Sequence, residues 1–89
     1  MALFDTFQLD GSGLAPAGAS ADALYELGLM YAAGRDVPMD LVSAHKWLNI
    51  AAARGNTDAR RMRTELSAEM TRAEIVEAQK QARQWMTRH

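Results

Sequence analysis

Apolar residues recur along most of this chain at the three- and four-residue spacing of an α-helix. The first such stretch follows Ser20, and its apolar face is formed by Leu24, Leu27, Gly28 and Tyr31. Ser20 is a suitable N-cap, and Gly34 can adopt the left-handed conformation that often ends a helix. The pattern therefore predicts a first helix between Ser20 and Gly34.

A second amphipathic stretch begins at Asp40, which is a good N-cap, and we expect Gly55 to end it. Its apolar positions are Ala44, Trp47, Leu48, Ala51 and Ala52. The five residues between the two stretches include Pro38, which prevents the first helix from continuing. So short a connection predicts an antiparallel helical hairpin.

Two further helices are predicted in the remainder of the chain. The third begins at Asn56 or Thr57 and has a thin apolar stripe of Ala59, Met62 and Leu66. Thr71 and Glu74 have the spacing of a capping box, which marks the start of the fourth helix. The residues expected to face inward on this last helix are Ile75, Ala78, Ala82, Trp85 and Met86.

The N-terminal residues follow a different pattern. Residues 8–20 contain three glycines and one proline without sustained periodicity, as is typical of a flexible connector. Leu3, Phe4, Phe7 and Leu9 either cover an open end of the helical core or belong to a frayed terminus. We predict an all-α fold: a flexible segment at 1–19, a hairpin at 20–55 and a capping helix pair at 56–89. The expected architecture is two consecutive antiparallel helical hairpins, about four helices in all, after an irregular N-terminal segment.

The amino-acid composition favours helical structure and excludes several kinds of functional site. The hydrophobic fraction is 48% and is dominated by Ala, Leu and Met, which favour helix over strand. Without cysteine there is no disulfide, thiolate metal site or cysteine nucleophile. Because no stretch resembles a signal peptide or a membrane span, we expect a cytoplasmic protein.

The polar residues form no recognisable catalytic or metal-binding motif. His45 and His89 are not at ligand spacing, and we interpret His45 as solvent-exposed or at the edge of the core. Ser67 and the other serines lack a histidine and an acid in any nucleophile motif. We therefore expect a non-enzymatic protein without metal or cofactor.

Charge is distributed unevenly although the net charge is only −1. Residues 1–53 carry two basic and six acidic side chains, whereas residues 54–89 carry eight basic and five acidic ones. This asymmetry suits self-association, for example in a homodimer, although a chance imbalance on solvated helix faces is the alternative.

Arginines are concentrated just after the second helix. The cluster Arg54, Arg60, Arg61 and Arg63 is the best candidate for contact with an anion or RNA. Acidic residues are interspersed with these arginines and no aromatic residue is, so ion pairs along the helix are the simpler account. Nucleic acid is therefore not the partner we expect.

The hairpin residues also form a longer ordered pattern that extends from Ala23 to Ala59, about 37 residues. In order, its members are Ala23, Leu27, Gly28, Tyr31, Gly34, Asp40, Ala44, Trp47, Ala51, Ala52, Gly55, Asn56 and Ala59. This pattern resembles the Sel1-like repeat, a relative of the tetratricopeptide repeat. The resemblance implies an α-solenoid fragment that acts as an adaptor in protein complexes, often in bacterial signalling or envelope contexts.

The chain departs from the Sel1-like pattern in two respects. It contains one clear unit, whereas family members usually stack several and present a long concave surface. It also lacks the paired cysteines of the secreted members, some of which are linked to penicillin binding. We therefore do not transfer that activity or that location to this chain.

The function predicted from sequence is protein binding at a surface formed by the first and third helices. First helices of successive units line the concave side of a solenoid, which makes Tyr25, Leu29, Tyr31, Arg61 and Arg63 the predicted contact residues. Packing within the protein is the alternative for Tyr25 and Leu29. A self-assembling structural or regulatory protein is the alternative function, since a stack this short leaves apolar surface uncovered.

Overall fold

The computed structural model describes residues 18–88, which form four α-helices and no β-strand. The helices are α1 (Ala21–Ala33), α2 (Leu41–Ala53), α3 (Thr57–Ser67) and α4 (Arg72–Arg88). The predicted all-α class is confirmed. The expected flexible segment, with its apolar cluster from Leu3 to Leu9, lies outside the described residues except at its last two positions, and His89 also lies outside them.

Local side-chain caps explain where the first three helices begin. The side chains of Ser20, Asp40 and Asn56 each accept a hydrogen bond from the backbone N–H three residues later. Such a bond satisfies one of the N–H groups that a helix start leaves without an intrahelical partner. These three caps confirm the predicted starts, with Asn56 chosen over Thr57.

The predicted capping box at the start of α4 is also formed. The backbone N–H of Glu74 donates to the Thr71 hydroxyl at 3.1 Å, and the backbone N–H of Thr71 donates to the Glu74 carboxylate at 2.8 Å. The two bonds are reciprocal, as a capping box requires.

The connection between α1 and α2 is a tight turn with two left-handed residues. Gly34 ends α1 with φ of 71°, as predicted, and its N–H donates to the carbonyl of Met30. Asp36 also has a positive φ of 67°, which was not predicted. The backbone N–H of Asp40 donates to the carbonyl of Tyr31 at 3.0 Å and ties the end of the turn back to α1.

Helix α2 supports the other three helices. Each of α1, α3 and α4 packs against α2, whereas contacts among these three are few. Arg54, the C-cap of α2, donates to the carbonyl of Ala19 just before α1, and His45 near the start of α2 contacts Ser67 at the end of α3. Helices α1 and α3 are therefore antiparallel to α2. Helix α4 begins shortly after α3 ends, and its Trp85 lies near Arg54 at the end of α2, so α4 runs in the same direction as α2.

The second helix pair packs differently from the first. We expected α3 and α4 to form a hairpin like that of α1 and α2, yet each packs mainly on α2. The apolar stripe of α3 is thin, with Ala59 and Leu66 as its buried residues, and α2 already covers it. Stacking in the manner of a solenoid remains a prediction.

A pair of tryptophans joins α4 to α2. The rings of Trp47 and Trp85 meet edge to face, with centroids 5.4 Å apart and an interplanar angle of 81°. Such a pair contributes about 0.5–1.5 kcal/mol beyond the burial of its surface. Ala78 and Ala82 are fully buried and small, so the backbone of α4 can approach the core closely.

Gly28 sets the distance between α1 and α2. A Cβ atom at this position would lie 2.8 Å from two side-chain atoms of Leu48 and 3.3 Å from the carbonyl oxygen of Ala44. Leu48 is fully buried and cannot move aside without disturbing its neighbours. The glycine is therefore required by the close packing of α1 on α2.

We predict that Gly28→Ala destabilises the protein by about 1–2 kcal/mol. The steric cost of overpacking, about 1–3 kcal/mol, is only partly offset by the higher helix propensity of alanine. Urea unfolding followed by circular dichroism measures the change. Gly18→Ala is the matched control, because no atom lies within 4 Å of a Cβ added there. Equal stability of the Gly28→Ala variant and the wild type would contradict this account of the helix contact.

Candidate functional site

The five predicted contact residues differ widely in accessibility. Tyr31 is only 5% exposed and belongs to the core, so its side chain is not part of the outer surface. Tyr25 and Leu29 are half-buried on α1, and Tyr25 packs against the core. Arg61 is exposed and Arg63 is half-buried, both on α3. The structure thus leaves Arg61 exposed, and Tyr25, Leu29 and Arg63 partly accessible.

Three of the four arginines in the cluster, Arg54, Arg61 and Arg63, make intramolecular side-chain contacts, and Arg60 is exposed. Arg54 donates to the carbonyl of Ala19 at 3.0 Å, and its guanidinium lies 5.1 Å from the ring centroid of Trp85. Arg61 pairs with Asp58 at 3.2 Å, three residues earlier on α3. Arg63 donates to the side-chain oxygen of Asn49 on α2. These contacts favour a structural use of the cluster over binding of RNA.

His45 lies inside the protein and contacts Ser67. Its side chain is 2% exposed, and its Nε2 is 2.9 Å from the Ser67 hydroxyl oxygen. The interpretation of His45 as exposed or at the core edge was wrong. No local motif revealed the pair, because 22 residues separate its members and only the packing of α3 on α2 brings them together.

The hydrogen bonds around Ser67 define the protonation of His45. The Ser67 hydroxyl donates its single proton to the carbonyl of Arg63 at 2.9 Å, so His45 Nε2 must be the donor in the other bond. His45 Nδ1 is then unprotonated, and within residues 18–88 it has no hydrogen-bond partner. Burial, and secondarily the positive charge of Arg63, lower the pKa of His45 from its usual 6.5.

This arrangement differs from that of a Ser–His catalytic pair. In such a pair the serine donates its proton to the imidazole, and an acid orients the other ring nitrogen. Here the imidazole donates to Ser67, and Nδ1 of His45 meets no acid among the described residues. The pair therefore ties the start of α2 to the end of α3.

An open groove lies between the α1–α2 turn and the end of α3. We call it the acidic groove; its volume is about 280 Å³. Its lining residues are Ala32, Met39, Leu41, Leu48, Met62, Glu65, Leu66 and Glu69. Six of them are apolar and the other two are acidic, so an apolar floor is combined with negative charge. No repeat pattern predicted this groove, because it is assembled from three helices and a turn.

The conformation of the turn holds Met39 outward at the groove. Val37 is 5% exposed and belongs to the core, whereas Met39, two residues later, is 65% exposed. Asp40 then fixes the chain by capping α2 and by donating its backbone N–H to the Tyr31 carbonyl. Met39 is thus a large apolar side chain that the fold places in contact with solvent.

The opposite margin of the groove carries Glu65 and Glu69. The chain continues past the end of α3 in turns, with the backbone N–H of Glu69 donating to the carbonyl of Leu66 at 2.9 Å. Both glutamates are exposed. The ion pairs within residues 18–88 are Arg35–Glu26 and Arg61–Asp58, so neither glutamate at the groove is neutralised by a neighbour.

The rest of the described region presents less distinctive candidates. A more polar depression of about 350 Å³ lies between α2 and α4 and is lined by residues of both charges, among them Lys46 and Glu77. From Gly18 to Arg88, no three His, Asp or Glu side chains are grouped as metal ligands would be. The acidic groove is therefore the strongest candidate site.

Comparisons of this chain with protein-family models, with curated proteins and with solved structures gave no match. The Sel1-like resemblance thus depends on the motif residues themselves. None of the four helices described here is long and apolar enough to cross a membrane.

We predict that His45 makes the stability of the protein depend on pH. In the unfolded chain His45 binds a proton below about pH 6.5, whereas in the folded protein its lowered pKa delays protonation to lower pH. The free energy of unfolding should therefore fall as the pH drops below about 6.5, with a slope of up to about 1.4 kcal/mol per pH unit, until the folded protein also binds the proton.

The His45→Gln variant provides the comparison, because its side-chain amide can still donate to Ser67 but does not titrate. Urea unfolding at a series of pH values should give a flatter dependence for this variant than for the wild type. If both proteins lose stability in parallel below pH 6.5, another group is responsible.

Proposed function

We propose that this chain is a non-catalytic protein-binding module of the Sel1-like type, and that its acidic groove accepts an apolar side chain of a partner protein. The observation that carries the proposal is the open apolar floor of the groove, at whose margin Met39 is 65% exposed. The Sel1-like motif residues support the same function independently, since the resemblance implies an adaptor.

Exposure of apolar surface at this position favours binding. Among residues 18–88, Met39 and Val76 are the two large hydrophobic side chains that are exposed. Met39 is not isolated, because Leu41, Met62 and Leu66 extend the apolar surface into the groove. Contiguous apolar surface bordered by polar groups is typical of interaction sites. Methionine side chains are flexible and polarisable, so they adapt to the shape of a bound group.

Charge gives the groove a preference among partners. Glu65 and Glu69 border it, and no basic residue is among its lining residues. A partner segment with an apolar side chain flanked by Lys or Arg would match the groove. Its apolar side chain would contact the floor, and its cationic groups would approach the glutamates at the margin. Complementary charge of this kind contributes to specificity and to the association rate more than to affinity.

The groove shares two helices with the contact surface that was proposed from sequence. It is bounded by the C-terminal ends of α1 and α3, the helices proposed to form the contact surface. Tyr25, Leu29 and Arg61 remain proposed contacts outside the groove. Tyr31 and Arg63 are better explained by the core and by the bond to Asn49. The absence of cysteine supports a proposed cytoplasmic location.

We predict that Met39→Glu lowers the affinity for the protein partner at least tenfold, because it places a carboxylate where the apolar anchor would bind. Partner proteins are first identified by co-purification with the full chain from its native cell. Each is then purified and titrated calorimetrically against the wild type and the variant.

Val76→Glu is the matched control. Val76 is also exposed, but it lies on α4 and not at the groove, so this variant should bind the partner with wild-type affinity. Both variants should retain their stability within about 0.5 kcal/mol, as exposed substitutions usually do. Unchanged affinity of the Met39→Glu variant would exclude the groove as the binding site.

A further inference from the structure

Helix α4 has an outer face that is entirely without acidic residues. The exposed residues of α4 include Arg72, Ala73, Val76, Gln79, Lys80 and Arg83, whereas its two glutamates, Glu74 and Glu77, are half-buried. At 100° per residue these six exposed residues lie within about one third of the helix circumference. We call this surface the basic face of α4.

Val76 lies at the centre of the basic face. It is 54% exposed, and Arg72 and Lys80 lie one helical turn before and after it. Four residues advance about 6 Å along the helix axis, so the two positive charges flank the aliphatic side chain closely. The basic face therefore presents one apolar group between cations.

The acidic groove has the complementary properties. Its floor is apolar, and Glu65 and Glu69, four residues apart, supply negative charge at its margin without ion-pair partners in residues 18–88. The exposed large hydrophobic residues of the described chain are thus divided between these surfaces, with Met39 on the acidic one and Val76 on the basic one.

We propose that the acidic groove binds the basic face of α4 from a second copy of this chain. Val76 of one copy enters the apolar floor, and Arg72 and Lys80 approach Glu65 and Glu69 of the other copy. Since no residue of α4 lines the groove, the two surfaces are separate on each molecule. The contact is therefore heterologous, and copies associate head to tail into open chains or rings.

The sequence of the N-terminal segment favours a second copy over this segment as the occupant. Residues 1–17 contain the apolar residues Phe4 and Phe7 but also Asp5 and Asp10, and no Lys or Arg. Their charge has the same sign as that of the groove margin, whereas the basic face has the opposite sign. Electrostatic complementarity thus distinguishes the two occupants.

The contact is expected to be weak and sensitive to salt. The groove is lined by eight residues, whereas a stable interface usually involves about 20–30 residues on each side. Exposed charges contribute much of the complementarity and are screened at high ionic strength. We expect dissociation constants in the micromolar range or weaker.

Sedimentation of the full chain, its variants and their mixtures tests the proposal. The wild type should associate progressively as its concentration rises, and association should weaken at 0.5 M salt, on the order of tenfold. Met39→Glu disables the groove and Val76→Glu disables the basic face, so each variant alone should sediment as a monomer. Thr57→Glu, an exposed substitution at the opposite end of α3 from the groove, should associate like the wild type.

An equimolar mixture of the two monomeric variants gives the decisive result. The Met39→Glu copy retains its basic face and the Val76→Glu copy retains its groove, so the mixture should form a 1:1 dimer and nothing larger. A mixture that stays monomeric, or association that survives in either variant alone, would overturn the proposal. A wild type that remains monomeric at several hundred micromolar would also overturn it.

These outcomes are independent of the protein-binding function. A monomeric wild type whose groove still binds a different protein would remove self-association and leave the proposed function intact. The Val76→Glu variant separates the two in the same way, because it should lose self-association while it retains partner binding.

Discussion

The burial of helix α2 is the constraint on which the remaining structure depends. A helix that is covered by three others must be apolar around most of its circumference, and α2 meets this requirement with Trp47, Leu48, Ile50 and Ala51. The exceptions are polar groups with defined contacts. His45 is kept neutral and donates to Ser67, and Lys46 places its ammonium 4.3 Å from the ring centroid of Trp47. The positions of α1, α3 and α4 are determined by the side chains that each of them packs against this central helix.

The parts of the fold that were predictable from sequence depend on interactions between residues at most four positions apart. Ser20, Asp40 and Asn56 cap helices by bonds to the third residue after them, and Gly34 ends α1 by its own backbone conformation. The contacts that sequence reasoning missed join distant residues, such as His45 with Ser67 and Arg63 with Asn49. The groove was missed for the same reason, since its lining comes from α1, the turn, α2 and α3. No local pattern contains such an arrangement.

The packing of α4 on α2 also explains why the chain has two unlike surfaces. Because α4 uses its apolar side, centred on Trp85, to cover α2, it contributes nothing to the groove and its other side remains in solvent. Helix α3 is covered by α2 on one side only, so the space between the end of α3 and the α1–α2 turn stays open. If the groove accepts both a partner protein and a second copy, the two compete for the same apolar floor. Self-association would then cover the apolar floor of the groove until a partner protein displaces the second copy.

The edge-to-face pair of Trp47 and Trp85 has a consequence for the modularity of the chain. The repeat pattern ends at Ala59, yet the aromatic partner of its largest buried side chain comes from α4, 38 positions further along the sequence. A fragment limited to the hairpin would expose the indole of Trp47 and the part of α2 that α4 covers. The segment from Ala23 to Ala59 is therefore continuous in sequence but does not complete its own core, and exchanging it between proteins would require α4 to move with it.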